Sequence, residues 1–85
     1  MGLYEFRQKP IAQQVSLISQ WGIKLVERCV GPHQVSLHSL EYFFVEIWFT
    51  PKRQRVVRLV SCRDQTCFEP YLDFINISDL IQKIV

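Results

Sequence analysis

With 85 residues, a formal net charge of +2, 48% hydrophobic and 21% charged residues, the chain has the balance of one folded domain spanning residues 1–85 rather than of a disordered tail. So small a charge excludes the sequence-wide field of a dedicated nucleic-acid binder and leaves room only for a local basic patch. No apolar run approaches the roughly 20 residues that cross a bilayer, and no N-terminal stretch joins a basic flank to an apolar run and a small-residue cleavage site, so a soluble cytoplasmic protein without a membrane partner is expected.

The periodicity does not decide whether Met1 to Lys9 is ordered. Pro10 stands where proline is tolerated at a helix start, and Ile11, Val15, Ile18 and Trp21 follow at helical spacing. The spacing predicts a helix over Pro10 to Trp21, with Ala12, Gln13, Gln14 and Gln20 as its small or polar remainder and Gly22 as a left-handed cap. From Ile23 the period changes to two. Ile23, Leu25 and Cys29 oppose Lys24, Val26, Arg28 and Val30, but Glu27 falls on the first side and leaves the buried face undecided, which suits an edge strand.

Gly31-Pro32-His33 supplies a turn, and Gln34 to Ser39 alternates as a second strand. A three-residue connection Leu40-Glu41-Tyr42 sets Val35 against Ile47 and Leu37 against Val45, keeping apolar residues together, whereas a two-residue connection puts Leu37 opposite Glu46. The third strand, Phe43 to Phe49, is apolar on both alternating sides, so something must cover its second face. After Pro51-Lys52-Arg53, an odd-length loop pairs Glu46 with Arg58 and Ile47 with Val57 along a fourth strand, Arg55 to Ser61. Phe68 to Leu72 reads as a short helical turn limited by Pro70, and Ser78 caps a final helix carrying Leu80, Ile81, Ile84 and Val85.

The expected fold is therefore α+β: an N-terminal helix, a four-stranded antiparallel meander and short C-terminal helices, with the helices on one sheet face. That face carries Val35, Leu37, Phe43, Val45, Ile47, Phe49, Val57 and Leu59. The other carries Ser36, His38, Phe44, Glu46, Trp48, Val56, Arg58 and Val60. The pieces Leu3-Tyr4-Glu5-Phe6, Trp21-Gly22, Phe44-Val45-Glu46 and Glu69-Pro70-Tyr71-Leu72 resemble a group of short uncharacterised bacterial proteins of helix, four-strand, helix layout. The resemblance implies that fold and a bacterial cytoplasmic setting, and it carries over no activity and no site.

Phe44 and Trp48, flanked by His38, Glu46 and Arg58, form the sharpest candidate surface, because aromatic residues and arginine dominate interface energetics. The competing explanation is that a helix of the same chain packs there. Lys52, Arg53 and Arg55, with Arg58 and Trp48 nearby, suit phosphate contacts with base stacking, although a basic hairpin tip also serves simply to keep a sheet end soluble. Cys29, Cys62, Cys67, His33 and His38 match no metal-finger spacing, so no metal is expected. The cysteines are expected as reduced thiols, with Cys29 and Cys62 filling the core and Cys67 exposed. For catalysis, Ser36 or Cys67 with His38, and Glu46 near Arg58, are the only candidates, and no phosphate loop, nucleophile elbow or paired carboxylates accompany them. The expectation is a non-enzymatic, cofactor-free module that binds a second copy of itself or another protein, with weak nucleic-acid binding through residues 52–58 as the alternative.

Overall fold

The computed structural model describes residues 1–71, the side chains of Gln65, Thr66 and Cys67 apart. The chain runs α1 (Leu3–Gln8), α2 (Ile11–Trp21), β1 (Ile23–Val30), β2 (His33–Leu40), β3 (Phe43–Thr50), β4 (Arg55–Cys62) and a 3-10 helix (Gln65–Tyr71). The four strands form one antiparallel meander in the order β1-β2-β3-β4. The α+β class and the meander agree with the sequence reading; the expected helix after Ser78 lies outside the described residues.

The N-terminal segment is an ordered helix. Phe6 of α1 is fully buried and meets Phe43 at 5.1 Å between ring centroids. Pro10 precedes α2, its carbonyl accepting the Gln14 amide at 3.0 Å. The α2 stripe differs from the expected one: Ile18 and Gln14 are buried, while Ile11 and Trp21 are exposed. Gln14 goes inward because its Nε2 donates to the Lys9 carbonyl at 2.7 Å, satisfying backbone that the short helix α1 leaves open. Gly22 is extended rather than left-handed, with φ −78°. Glycine is needed for closeness, since a Cβ there would stand 2.6 Å from the Ile18 carbonyl oxygen.

The β2–β3 connection has two central residues, Leu40 pairing with Phe43, and the register is the one the cross-strand matching argued against: Leu37 faces Glu46 and Val35 faces Trp48. Glu41 takes φ +55° at the first central position, where hairpin turns usually place glycine. One step of register turns every β2 side chain over. Val35 and Leu37 therefore move to the second face and His38 and Ser36 to the first. The exchange costs no apolar burial, because both faces are covered and Val35 and Leu37 are fully buried.

Two bulges complete the sheet. In β1 the pairing shifts between Lys24 and Val26, so Leu25 is the extra residue. The parity change places Lys24, Glu27 and Cys29 toward the first face and Val26, Arg28 and Val30 toward the second. This resolves the misfit of Glu27 in the alternating pattern. In β4 the shift falls opposite Trp48/Phe49, leaving Val57 unpaired, and Arg58 then stands opposite Trp48, not Glu46. Val57 is consequently 45% exposed and does not join the core.

The sheet is covered on both faces. On the first, Leu3, Phe6 and Ile18 pack on Leu40, Phe43 and Val45. On the second, Phe68 and Tyr71 of the 3-10 helix pack on Leu25 and Leu37, with Val26 and Phe44 beside them. The expectation of all helical segments on one face is thus corrected. β3 is apolar on both sides because it is interior to a three-layer arrangement made by this chain alone.

Candidate functional site

On the second face, Glu46 of β3 is the centre of a polar cluster. Its Oε2 accepts the Tyr71 hydroxyl at 2.7 Å and an Arg28 Nη2 at 3.3 Å, and its Oε1 accepts the Trp48 indole N–H at 3.3 Å. The carboxylate is buried, and these donors replace the water it has lost. The expected Glu46–Arg58 pair does not form; the β1 bulge brings Arg28 across from two strands away instead. Burial, and then the hydrogen bond to Glu46, push the Tyr71 hydroxyl well above its ordinary value, so it stays a donor at neutral pH.

Arg28 lies against two rings, its guanidinium carbon 5.4 Å from the Trp48 centroid and 5.3 Å from that of Tyr71. Its Nε is buried with no hydrogen-bond partner among the described residues, and the π-faces are the compensation on offer. Burial draws the Arg28 guanidinium down, but the contacts with Tyr71 and Glu46 outweigh it and hold the group above its ordinary value. Arg58 lies over Trp48 at 5.5 Å, and His33 meets its edge at 5.9 Å. Trp48 is thus contacted by arginines, an imidazole and a carboxylate while the residue remains partly exposed.

Of the residues proposed from sequence, Phe44, Glu46, Trp48 and Arg58 share the second face, and His38 does not, because the β2 register turns it over. Phe44 is covered intramolecularly, in edge contact with Phe68 at 4.8 Å. The competing explanation for the two-sided strand therefore holds at its Phe44 end, and of the candidate surface only the Trp48 end is left partly exposed. Arg28 and Tyr71 were missed. An arginine set between Val26 and Val30 on one alternating side of β1 was the available signal for the first, and the bulge hid it.

His38 sits on the first face with Ser36, Ser36 Oγ lying 2.9 Å from His38 Nε2. Burial first, and the nearby Lys24 cation second, lower the His38 pKa. A serine beside a largely neutral imidazole has the elements of a nucleophile and base, but what faces them across the pair is Lys24 and Glu27, ion-paired to each other. Among the described residues no carboxylate is bonded to the ring. Cys29 is a free, exposed thiol and Cys62 is disulfide-bonded, in place of the two reduced core thiols expected. The side chain of Cys67 is outside the described set. Among the described residues no group of three His, Cys, Asp or Glu side chains is placed to hold a metal ion, and no helix is long and apolar enough to cross a membrane.

The basic residues Lys52, Arg53 and Arg55 come together at the β3–β4 hairpin. With Thr50 and Val57, and with Pro32 and His33 from the β1–β2 turn, they line an open cleft of about 360 Å³. Both turns project from the same end of the meander, which is the end where Trp48 is partly exposed. No protein-family model matches this chain, and no curated protein or solved structure matches it either.

Proposed function

We propose that this chain is a small non-enzymatic binding module whose contact surface is the Trp48 end of the second sheet face, and that its partner is a protein presenting acidic groups. The observation that carries the reading is Trp48, partly exposed yet held against Arg28, Arg58, His33 and Glu46. A rigid aromatic flanked by guanidinium groups contributes area at little conformational cost, the property that marks interface anchors.

Charge favours a different partner over a second copy. A two-fold contact through this end would lay the basic patch of one copy, with Arg58 and the hairpin cations, on the same patch of the other, and like charges brought together cost affinity. A heterologous acidic partner meets no such penalty. In a Trp21→Phe protein, Trp48 emission reports on the site alone. Oligoglutamate should perturb it at low salt, and Arg58→Ala should weaken that effect several-fold. A silent titration, together with a mass in solution that shows a dimer abolished by Trp48→Ala, would replace this reading with self-association.

Nucleic-acid binding is the second reading, favoured by Lys52, Arg53 and Arg55 lining one cleft beside Trp48. Single-stranded oligonucleotide in the same assay should then bind with an affinity that falls steeply as salt rises.

A further inference from the structure

The cleft between the two hairpin turns has a shape and a charge that a solubilising surface does not require. Lys52, Arg53 and Arg55 are its charged lining, and no carboxylate is among the lining residues. None of these cations is in an ion pair among the described residues, where the pairs are Met1–Glu41, Lys24–Glu27 and Arg28–Glu46. Like charges gathered around one concavity repel each other, and an anion placed between them removes that repulsion while gaining from each.

The backbone fixes the geometry in advance. Pro51 presets the first turn, the Arg53 amide donates to the Thr50 carbonyl at 3.2 Å, and the Gln54 amide donates to the Pro51 carbonyl at 3.2 Å. Gln54 then takes φ +49°, a left-handed step that returns the chain into β4 at Arg55. Arg53 on the pinned turn and Arg55 at the first position of β4 carry planar forks, the geometry that matches phosphoryl oxygens in a bidentate way.

Size and wall chemistry narrow the ligand further. A volume of about 360 Å³ is far more than a bare phosphate fills and lies at the lower end of small-molecule sites. Pro32 and Val57 give the cleft apolar walls, and Val57 is turned out there by the β4 bulge, exposed by 45% although it is an aliphatic residue in a strand. The bulge thus sets an apolar side chain next to the cationic rim, where simple solubility would favour a polar one.

We propose that this cleft binds a phosphate ester of about mononucleotide size, its phosphoryl group on Arg53, Arg55 and Lys52 and its organic part between Pro32 and Val57. The proposal rests on reading the hairpin as an anion site, as the second functional reading does, and it commits to a small free ligand rather than a polynucleotide. Titrations of adenosine monophosphate, inorganic pyrophosphate, sulfate and oligodeoxythymidylate, at about 20 mM salt where screening is weak, separate the sources. Adenosine monophosphate should bind at least tenfold more tightly than sulfate. Arg53→Lys and Arg55→Lys, which keep charge and lose the fork, should each weaken it about tenfold, and Val57→Ser should weaken the monophosphate while leaving pyrophosphate unchanged. These positions are exposed, and unaltered thermal unfolding of each variant checks that the fold is intact. Binding of oligodeoxythymidylate without the monophosphate overturns the small-ligand proposal and leaves the nucleic-acid reading standing. Equal affinity for sulfate and adenosine monophosphate, or no binding by any of them, overturns the site itself.

Discussion

Glu46 is a carboxylate that the fold can bury only because donors from three other side chains converge on it. Removing one donor is unlike removing the pair. Arg28→Met leaves the charge buried with only Tyr71 and Trp48 to hold it and should cost about 2 kcal/mol, below the 3–5 kcal/mol of a fully buried pair because Arg28 keeps 21% of its side-chain surface exposed. Glu46→Gln in the Arg28→Met background should recover part of that loss. Urea unfolding of the two single variants and the double variant measures the coupling, and strict additivity would mean that the ion pair contributes nothing.

His38 gives the molecule a pH response of definite sign. The folded protein binds a proton there less readily than the unfolded chain, whose histidine titrates near 6.5. Stability from this group is therefore fully present above pH 6.5 and is lost as the pH falls through the folded value. Lys24 on the paired strand adds to the effect, and Ser36 accepts or donates a single hydrogen bond. His38→Gln should flatten stability below about pH 6.5, read as a thermal midpoint that drops less on acidification.

At the scale of elements, the joint between α2 and β1 has no slack. The Gly22 amide donates to the Ile18 carbonyl at 2.8 Å, and the same carbonyl occupies the space a side chain would need. Gly22→Ala should destabilise by about 1–3 kcal/mol, the usual cost of overpacking, and lower the thermal midpoint without changing the oligomeric mass. Much of this level was legible beforehand. Helix α2 and each strand lie within a residue or two of their expected bounds, because a change of hydrophobic period and the Gly or Pro at Gly22, Gly31-Pro32 and Pro51 are local signals.

Register and face were less legible, for a physical reason. Matching apolar residues across strands assumes that one face alone is buried, and here both faces bury residues, so Leu37 stands opposite Glu46 with both of them inside. Bulges are invisible to a period-2 reading, which is why Glu27 looked misplaced, Arg28 was not recognised as Glu46's partner and Arg58 was assigned to it instead. The candidate site was half visible: Trp48, Glu46 and Arg58 follow from β3 and β4 alone, whereas Arg28, Tyr71 and the contribution of His33 depend on tertiary placement.

At the scale of the whole molecule, the two apolar layers differ in the order in which the chain can make them. Helices α1 and α2 precede the sheet and are ready to receive its first face as the strands pair. The second face waits for Phe68 and Tyr71, which are the last described elements of the core. Among the described residues no further strand pairs with β1 or β4, the two edges of the sheet.

A nascent chain still lacking those rings would carry Leu25, Leu37 and Phe44 as a naked greasy sheet with two free borders, the kind of species that chaperones hold. Cutting the sequence after Asp64 should reproduce that state at equilibrium, giving a product that binds hydrophobic dye and precipitates at concentrations where the intact protein remains dispersed.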